Sequence, residues 1–527
     1  MSIKIVHLSS FKTLLFLKLI KLNKILTGIL LSAIMLLLSF DGITQKTTKI
    51  KIVNAEVLRY DKKLGNKVRR LIGHVVLKQD STYLYCDSAY MYELENSFDG
   101  FGHVRIKASD TLNIYSETLH YNGNTKLAEL HRKVRLVDPQ STLYTEHLWY
   151  DRKINVGYYT TGGKIVDSTN TLTSVKGYYY TDLKHAYFKD SVVLINPDYT
   201  MNTDTMRYHT ETEISYFFGP TVIQSEDNLI YCENGWYDTQ NNKSQFKKNA
   251  YMLTDEQKLE GDSLFYDRNL DFGKAFQNVV MSDTVQNMMI TGNYAEFKRQ
   301  EGFAFVTDSS QAIMVDKHDS LFMHSDTLWM FFDSAQNLEY ILAYNKTKFF
   351  RKDMQGMSDS LIYHFADSTI FMYKEPVLWS DQNQLTADSI HIALANKQID
   401  TLALINSAFI ISMDDTIHKN TFNQIKGKVM IGYFKNNQMR KVQINGNAES
   451  IFFVRDEDQL LTGINKTLSS DMNIYLDSSG VYAVVPIKSV DAHMYPEAEV
   501  AEEDRKLKNF RWIKDRRPMK KEDIFIW

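Results

Sequence analysis

The segment Glu117-Thr-Leu-His-Tyr121 returns 29 residues later as Glu146-His-Leu-Trp-Tyr150, and related segments follow along most of the chain. Most of these anchor segments have an acidic residue, an apolar residue two positions later, and an aromatic or apolar residue two positions after that. The closing residues of the series are Tyr92, Tyr121, Tyr150, Tyr179, Tyr208, Tyr237, Tyr266, Phe297, Met330, Tyr363 and Ile392. A fixed period of this length predicts one supersecondary unit stacked on copies of itself.

The apolar and aromatic residues of an anchor segment lie two positions apart, which places both on one face of a β-strand. A second short apolar run lies about midway between anchors, as in Gly73-His-Val-Val-Leu77 and Ser191-Val-Val-Leu-Ile195. Asn and Gly at joints such as Tyr121-Asn-Gly-Asn124 supply turn chemistry. Each repeat is therefore predicted to contain two strands, and the fold to be an all-β stack similar to a sandwich.

Length and composition favour one elongated body over several separate domains. The chain has 527 residues, of which seven are proline, and the repeat is unbroken from about residue 70 to 410. Its 31 tyrosines and 29 phenylalanines favour strands. A formal net charge of −3 gives no electrostatic basis for binding nucleic acid, so no nucleic-acid partner is expected.

Residues 1–44 have the composition of an export signal. Five lysines from Lys4 to Lys24 precede an apolar run from Ile25 to Phe40, and polar sequence begins at Asp41. The sequence thus predicts that the chain leaves the cytoplasm, either with the signal cleaved or with the segment kept as a membrane anchor. The first cysteine is Cys86, so a lipid attached to a cysteine next to the signal is not expected.

The two cysteines occupy a position that other repeats fill with serine, threonine, glycine or alanine. Cys232 directly precedes the acidic residue of its anchor segment, and Cys86 fits the same position ahead of Asp87. Five repeats separate the two thiols, on the order of 24 Å for strands about 4.8 Å apart, whereas a disulfide needs Cα atoms within about 7 Å. The sequence predicts two free thiols that serve as small packing residues.

A signal sequence followed by tandem small-acid-small-apolar-x-aromatic units, alternating with Gly-x-Val-type runs, resembles the OstA/LptA family of lipopolysaccharide-transport periplasmic proteins. The resemblance extends to Gly427-Lys-Val-Met-Ile-Gly-Tyr-Phe434 and Asn445-Gly-Asn-Ala-Glu-Ser450, which are similar to the last repeats of such proteins. It implies an elongated, open β-jellyroll of two facing sheets in the periplasm, with association to the inner or outer membrane left open. The implied partners are lipopolysaccharide or a related amphiphile and other transport-bridge proteins, including an outer-membrane translocon, joined by edge-strand pairing.

The same resemblance divides the chain into four parts: residues 1–44 as signal or anchor, 45–415 as jellyroll repeats, 416–490 as C-terminal repeats and 491–527 as a tail. The tail begins with an acidic stretch, Pro496-Glu-Ala-Glu-Val-Ala-Glu-Glu-Asp504, and continues with basic and aromatic residues from Arg505 onward. Two interpretations fit it. It contacts anionic lipid headgroups or a partner protein, or it forms a short amphipathic helix across the last strand of the stack.

The residues implied as the lipid-binding site form an apolar stripe that faces inward from the anchor segments. They are Leu119, Tyr121, Leu148, Tyr150, Tyr179, Met206, Tyr208, Tyr237, Leu264, Tyr266, Phe297, Leu328, Met330, Leu361, Tyr363, Ile390 and Ile392. A lipid needs such cover in water, because each exposed methylene costs about 0.8 kcal/mol, or roughly 10 kcal/mol for a chain of about fourteen carbons. Any two-sheet protein also needs an apolar core, so a purely structural role is an alternative. Gly177 and Gly235 replace the apolar residue in two repeats and predict either a wider interior or close packing against a ring.

The acidic residues and histidines form no recognisable catalytic pattern. Acids such as Glu146 and Asp204 recur at the start of the anchors, and we expect them to cap turns instead of binding calcium. His74 and His103 occupy equivalent positions in two repeats, and His131 lies close to that position in the next, so repetition explains them without a metal. The chain has no Gly-x-Ser-x-Gly, His-Glu-x-x-His or phosphate-loop motif, and neither an enzyme nor a cofactor is expected.

Three other functions fit a repeat of this kind. An extracellular carbohydrate-binding or adhesive β-repeat protein would carry its aromatic residues on an outer face among polar residues. A transmembrane barrel would need alternate residues facing lipid, and the basic side chains of His131-Arg-Lys-Val-Arg-Leu136 argue against it. A structural spacer would bind no lipid. The sequence favours the transport protein, with a partner that pushes lipid along the interior.

Overall fold

The computed structural model describes residues 48–60, 67–315, 319–395, 398–414, 421–436, 438–456, 460–477 and 480–527. The predicted signal, residues 1–44, lies outside the described residues. Within them the chain forms 36 strands and four short 3-10 helices, which confirms the all-β fold. The chain divides into two compact units, Met1–Lys107 with His120–Leu127, and Ala108–Leu119 with Ala128–Trp527.

The first unit contains β1 (Lys51–Asn54), β2 (Val57–Tyr60), β3 (Val68–Gln79), β4 (Thr82–Tyr92) and β5 (Ser97–Lys107), and β6 (Asn113–Asn122) has residues in both units. The second unit contains β7 (Leu127–Val137) apart from its first residue, Leu127. It also contains β8 (Thr142–Asp151), β9 (Val156–Tyr159), β10 (Gly163–Val166), β11 (Thr171–Ser174), β12 (Lys176–Tyr180), β13 (His185–Ile195), β14 (Thr200–His209), β15 (Ile214–Gln224), β16 (Leu229–Asp238), β17 (Lys243–Leu253), β18 (Gln257–Asp267), β19 (Phe272–Asp283), β20 (Met288–Lys298), β21 (Phe303–Thr307), β22 (Gln311–Met314), β23 (Leu321–His324), β24 (Thr327–Phe332), β25 (Leu338–Arg351), β26 (Met354–His364), β27 (Thr369–Tyr373), β28 (Val377–Ser380), β29 (Asn383–Thr386), β30 (Ser389–Ala395), β31 (Gln398–Met413), β32 (Phe422–Lys435), β33 (Gln438–Arg455), β34 (Leu461–Asp477), β35 (Gly480–Ile487) and β36 (Asp491–Tyr495). Its 3-10 helices are Arg299–Glu301, Glu497–Glu499, Glu502–Arg505 and Lys521–Phe525.

Consecutive long strands pair antiparallel through short turns, so a repeat contains two strands, as predicted. β13 pairs with β14, and β14 pairs with β15. The turns of successive repeats also bond to one another: the backbone N–H of Thr210 donates to the carbonyl of Lys184 (2.9 Å), and that of Arg268 donates to Asn242 (2.9 Å). The 29-residue period therefore corresponds to one hairpin added to the stack.

Alternate long strands, those that pair with the anchor strands, are bent near their middle by left-handed residues, in most cases two in succession. Between β13 and β14, Lys189 pairs with Thr205 and Val192 pairs with Thr203, so two residues of β13 face one residue of β14. An extra residue of this kind bends a strand and increases its twist. The left-handed pairs of the second unit include Arg132–Lys133, Asp190–Ser191, Lys248–Asn249, Gln277–Asn278, Asp308–Ser309, Asn345–Lys346, Lys374–Glu375, Asn406–Ser407 and Lys488–Ser489. The second apolar run of each repeat thus begins at a bend and is half of a longer strand.

The bends divide the strands of the second unit between two layers. β10 pairs with residues 142–145 of β8, whereas β9 pairs with residues 149–151 beyond the bend. We call the layer that holds the ends of the anchor segments the anchor layer, and the other the opposite layer. Phe188 and Met206 of the anchor layer share one buried core with Leu194 and Met201 of the opposite layer. The two layers therefore face each other across an apolar interior, as the sequence predicts.

The small residue before each anchor acid lies on the inside of the bend, where the two layers converge. Ser358, Thr203 and Cys232 are all buried at this position, and in the first unit Cys86 is buried in its equivalent. Both cysteines are free, as predicted. Burial raises the pKa of each thiol to about 12, so both are neutral packing groups and neither is a reactive thiolate.

Residues 496–527 form a strap across the outer face of the opposite layer. The side-chain amide of Gln384 donates to the carbonyl of Arg511 and accepts from the N–H of Ile513, both at 2.7 Å. Gln424 makes the same two bonds, at 2.8 Å, to Arg505 and Leu507. The strap is extended with short 3-10 turns, so the prediction of an amphipathic helix across the end of the stack is wrong.

Candidate functional site: the interior between the two layers

The predicted stripe lies inside the protein. The members that are buried, with exposed fractions of 0–4%, are Leu119, Leu148, Tyr150, Met206, Leu264, Leu328, Met330, Leu361, Ile390 and Ile392 in the second unit and Tyr121 in the first. The half-buried members are Tyr179, Tyr208, Tyr237, Tyr266, Phe297 and Tyr363. Lipid contact at these residues stays a prediction.

In the middle repeats, exposure of the inward residues increases from the bend toward the turns. On β14, Met206 beside the bend is buried, while Tyr208 near the turn is partly exposed and packs against the core. On the opposite layer, Ile223 and Ile230 are also partly exposed and pack against the same core. We call this outer margin of the interior, where the hairpin turns of both layers lie, the rim.

Tyrosine rings close the rim. Tyr199 lies in the turn that ends the opposite layer, and its ring centroid is 6.5 Å from that of Tyr237 at the end of the anchor layer. Because the two residues come from different layers, their contact joins the layers at the margin farthest from the bends. In the first unit, the hydroxyl of Tyr121 bonds to the side chain of Gln79, which ends β3. Side chains, and no backbone ladder, therefore hold the rim together at these positions.

Three tyrosines at the rim, Tyr179, Tyr199 and Tyr208, are neutral well above physiological pH. Burial raises the pKa of Tyr179, Tyr199 and Tyr208 to about 12 each. Nearby carboxylates of the turns add to the effect, with Asp138 acting on Tyr179 and Asp167 on Tyr208. A phenolate at the rim would lose hydration and face acidic groups, so the rim behaves as an apolar boundary.

We expect alkali to weaken the rim. The folded-state pKa values lie above the ordinary tyrosine pKa of about 10, so the tyrosines contribute stability that is complete below about pH 10 and is lost as pH rises through about 12. The measurement is urea unfolding at several pH values in this window. The variant Tyr199→Phe/Tyr208→Phe should lose less stability there than the unmodified chain, and the exposed Tyr144→Phe should not differ from it. Equal pH dependence in all three proteins would contradict the account.

Gly177 and Gly235 mark close packing and do not widen the interior. A methyl group added at Gly177 would lie 2.4 Å from Cε1 and Cζ of Tyr159, and one added at Gly235 would lie 2.4 Å from Cε2 of Phe217. Tyr159 and Phe217 are both buried. In these repeats a ring from the neighbouring strand fills the volume that the apolar anchor residue fills elsewhere. Of the two possibilities that the sequence left, close packing is the one observed.

Restoring the consensus residue with Gly177→Leu is therefore expected to destabilise the protein. The leucine would overlap the ring of Tyr159, and overpacking of this kind costs about 1–3 kcal/mol. Chemical unfolding measures the change. The double variant Gly177→Leu/Tyr159→Ala should be more stable than the sum of the two single changes, because removing the ring makes room for the leucine. A single Gly177→Leu variant as stable as the unmodified chain would show that the space is open.

The anchor acids lie on the outside of the bends and bind the left-handed residues of the next strand. Asn278 Nδ2 donates to Asp262 (3.1 Å), and Lys374 Nζ donates to Asp359 (2.9 Å). The bond from Lys374 holds the pKa of Asp359 below its usual range. A left-handed residue other than glycine costs about 1–2 kcal/mol, so these bonds stabilise a strained position. The prediction that the acids cap turns is wrong for the acids that sit in mid-strand, such as Asp262 and Asp359, whereas Asp326 and Asp388 lie between strands.

His74 and His103 are themselves left-handed residues at bends of the first unit. Nδ1 of His103 lies 2.8 Å from Asp87, and Nδ1 of His74 lies 2.6 Å from Glu56. The bond to Asp87 raises the pKa of His103. His131 is not equivalent to them, since the bend of β7 falls at the next two residues and His131 points outward from the strand.

An aromatic band on the outer face of the anchor layer did not emerge from the sequence. Neighbouring rings lie 4.5–6.4 Å apart. The band consists of Phe276, Tyr294, Phe305, Trp329, Phe331, Tyr340, His364 and Phe371. Part of the signal was present: Trp329 stands at the variable position of its anchor segment, whose side chain must point away from the stripe.

Comparison with known proteins finds a family that is similar to part of the chain. The family model described as OstA-like protein matches residues 47–204. The matched range is less than half of the chain. The match confirms the resemblance read from the repeats, and the same bent, antiparallel hairpins continue beyond residue 204 in β15 to β20.

Among solved structures, the chain is similar to LptH from Pseudomonas aeruginosa, described as the LptA-homologous periplasmic component of the conserved lipopolysaccharide transport device. The two are 11% identical, and the alignment covers 28% of this chain and 99% of LptH with a TM-score of 0.21. None of the curated proteins matches the sequence. No helix among the described residues is long and apolar enough to cross a membrane.

Proposed function

We propose that this protein binds lipopolysaccharide-type lipid between its two layers and takes part in moving that lipid to the outer membrane as a periplasmic bridge component. The observation that supports the proposal best is the continuous apolar interior of the second unit, bounded by half-exposed tyrosines at the rim. The OstA-like match supports the same class of function. The protein would carry the lipid without any bond chemistry.

Lipid entry requires the rim to open. The deep residues of the stripe are only 0–4% exposed, so an acyl chain must part the two layers to reach them. At the bends the two layers are joined because each long strand runs from one layer into the other. At the rim, side-chain contacts such as that of Tyr199 with Tyr237 keep the layers together. Opening the rim would expose apolar side chains to water. The acyl chain would cover these side chains again, and each methylene that it buries would contribute about 0.8 kcal/mol of binding free energy.

The terminal strands supply edges for the partner proteins. β35 and β36 pair with β34, and no further described strand covers their other edge. Val481 and Tyr482 on β35 and Met494 on β36 are exposed. An exposed edge with apolar side chains is suited to strand addition by another jellyroll. We propose that a neighbouring bridge protein, such as an outer-membrane translocon component, docks there.

Native lipid extraction followed by mass analysis tests the proposal. Protein purified from its native cells should carry lipopolysaccharide-type lipid at a fixed number of lipid molecules per chain. Tyr237→Glu places a charge at the rim and should remove most of this lipid, whereas Trp236→Glu, which changes the adjacent outward residue, should retain it. Absence of lipid from the unmodified chain, or equal lipid in both variants, would refute the proposal.

The outer aromatic band favours a second candidate, the carbohydrate-binding protein. Sugar rings stack on aromatic faces, and Trp329 and Phe305 are half-buried on the outer face with ring centroids 4.8 Å apart. If this function is correct, the unmodified protein should bind soluble polysaccharide. The Trp329→Ala variant should lose this binding and the Tyr237→Glu variant should keep it. The opposite pattern would favour the lipid carrier.

A further inference from the structure

We propose that Glu129, His131 and His147 form a zinc-binding site on the outer face of the anchor layer. Glu129 and His131 lie two positions apart on β7 and therefore point to the same side, and His147 reaches them from β8. The site is separate from the lipid stripe, because the inward neighbours of these residues are Leu130 and Leu148, which are buried.

The ligand atoms have the spacing of one face of a tetrahedron. Nε2 of His131 and Nε2 of His147 are 3.2 Å apart, and Oε1 of Glu129 lies 3.2 Å from His147 Nε2 and 3.6 Å from His131 Nε2. Ligands about 2.0–2.1 Å from a zinc ion at tetrahedral angles lie about 3.3–3.4 Å from one another. A zinc ion would sit slightly out of the plane of the three atoms and keep its fourth position for water or another ligand.

Packing holds the rings in place. The ring of His147 lies between that of His131, at 3.9 Å between centroids, and that of Trp149, at 4.1 Å. Trp149 in turn stacks on Tyr158 at 5.4 Å. The three ligand side chains are 23–40% exposed, so an ion can reach them from solvent. Because the two imidazole rings are stacked, zinc binding would require them to rotate apart until both Nε2 lone pairs point at the ion.

The other histidine contacts described next, within the described part of the chain, lack either the carboxylate or the second histidine of this three-residue group. His185 and His209 have ring centroids 4.6 Å apart, but this pair forms no three-ligand group with a carboxylate. His103 has the carboxylate of Asp87 but forms no such group with a second histidine. Two imidazoles with one carboxylate suit zinc, which accepts nitrogen and oxygen ligands in tetrahedral geometry. This site was not predicted from the sequence, because it depends on which residues of β7 and β8 lie side by side.

Calorimetric titration of the chelator-treated full chain with Zn²⁺ tests the inference, with Co²⁺ absorption as a report of tetrahedral geometry. We expect one saturable ion per chain. His147→Asn and Glu129→Gln should each weaken binding at least about tenfold, or about 1.4 kcal/mol. His209→Asn should bind as the unmodified chain does. Circular dichroism checks that the variants fold, and if His147→Asn does not, Glu129→Gln serves alone.

Failure of the unmodified chain to bind Zn²⁺ saturably would overturn the inference, as would equal binding in the folded variants of Glu129 and His147. If His209→Asn lost Zn²⁺ binding as much as His147→Asn did, the inference would also be overturned, because the ion would then not be bound specifically by the three proposed ligands. None of these outcomes bears on lipid binding, because the three ligands lie on the outer face and the lipid stripe faces inward.

Discussion

Deletion of residues 496–527 is expected to destabilise the second unit by several kcal/mol and to make the chain self-associate. Three buried side chains of the sheet lie under the strap. Trp379 packs against Ile513, Phe422 packs against Phe510 and Trp512, and Ile451 packs against Val500. Each large side chain that returns to water costs about 2 kcal/mol. An apolar sheet face of this size also favours association between copies.

Urea unfolding and sedimentation measure the two effects of the deletion. Gln384→Leu is the matched control. It removes two hydrogen bonds to the strap and leaves the apolar contacts in place, so it should cost about 1–3 kcal/mol and leave the chain unassociated. A truncated chain that stays unassociated and unfolds at the unchanged urea concentration would mean that the strap contributes nothing to the fold.

Replacement of Ile390 by aspartate is expected to prevent the second unit from folding. Ile390 is buried in the shared core between the layers, where a carboxylate has no partner of opposite charge on the facing residues Met372 and Leu404. Burying an unpaired charge costs more than the loss of an apolar group, and even a neutral truncation such as Ile390→Ala costs about 2–5 kcal/mol.

The control for Ile390→Asp is His391→Asp, which changes the adjacent residue on the outer face of the same strand. His391 is half-buried against Phe371 and Tyr373, so the change should cost far less than the core substitution. Circular dichroism and unfolding by urea measure both. Equal stability of the two variants would show that the inner and outer faces of β30 are wrongly assigned.

The sequence predicted the inward stripe because strand periodicity is a local property. An apolar residue and a ring two positions apart must share a face, so Leu148 and Tyr150 could be placed without knowledge of their neighbours. The small position before each acid was predictable for the same reason, although its cause, the convergence of the layers inside the bend, was not.

The bends escaped prediction because many residue types occupy them. Gly102–His103, Asp190–Ser191 and Lys248–Asn249 all adopt left-handed backbone, yet they share no sequence motif. With the bends unseen, the acids opposite them were assigned to turns. A single sequence also does not show which residues of neighbouring strands lie side by side. For this reason the contact of His147 with Glu129 and the hydrogen bonds of Gln384 to the strap were not predicted.

The division of the chain at residues 415 and 490 stays a prediction. β31 and β32 pair with each other on either side of the first boundary, and β34 pairs with β36 across the second. The hairpin repeat therefore continues through both positions, and the tail that begins at 491 includes the last strand.

Photo-crosslinking in living cells tests the central claim most directly. A photoreactive residue at Tyr237 or Met206, which face the interior, should form adducts with lipopolysaccharide-type lipid, and one at Tyr231, on the outer face of the same hairpin stack, should not. Adducts at Tyr231 with none at the two inward positions would contradict the claim that lipid travels between the layers.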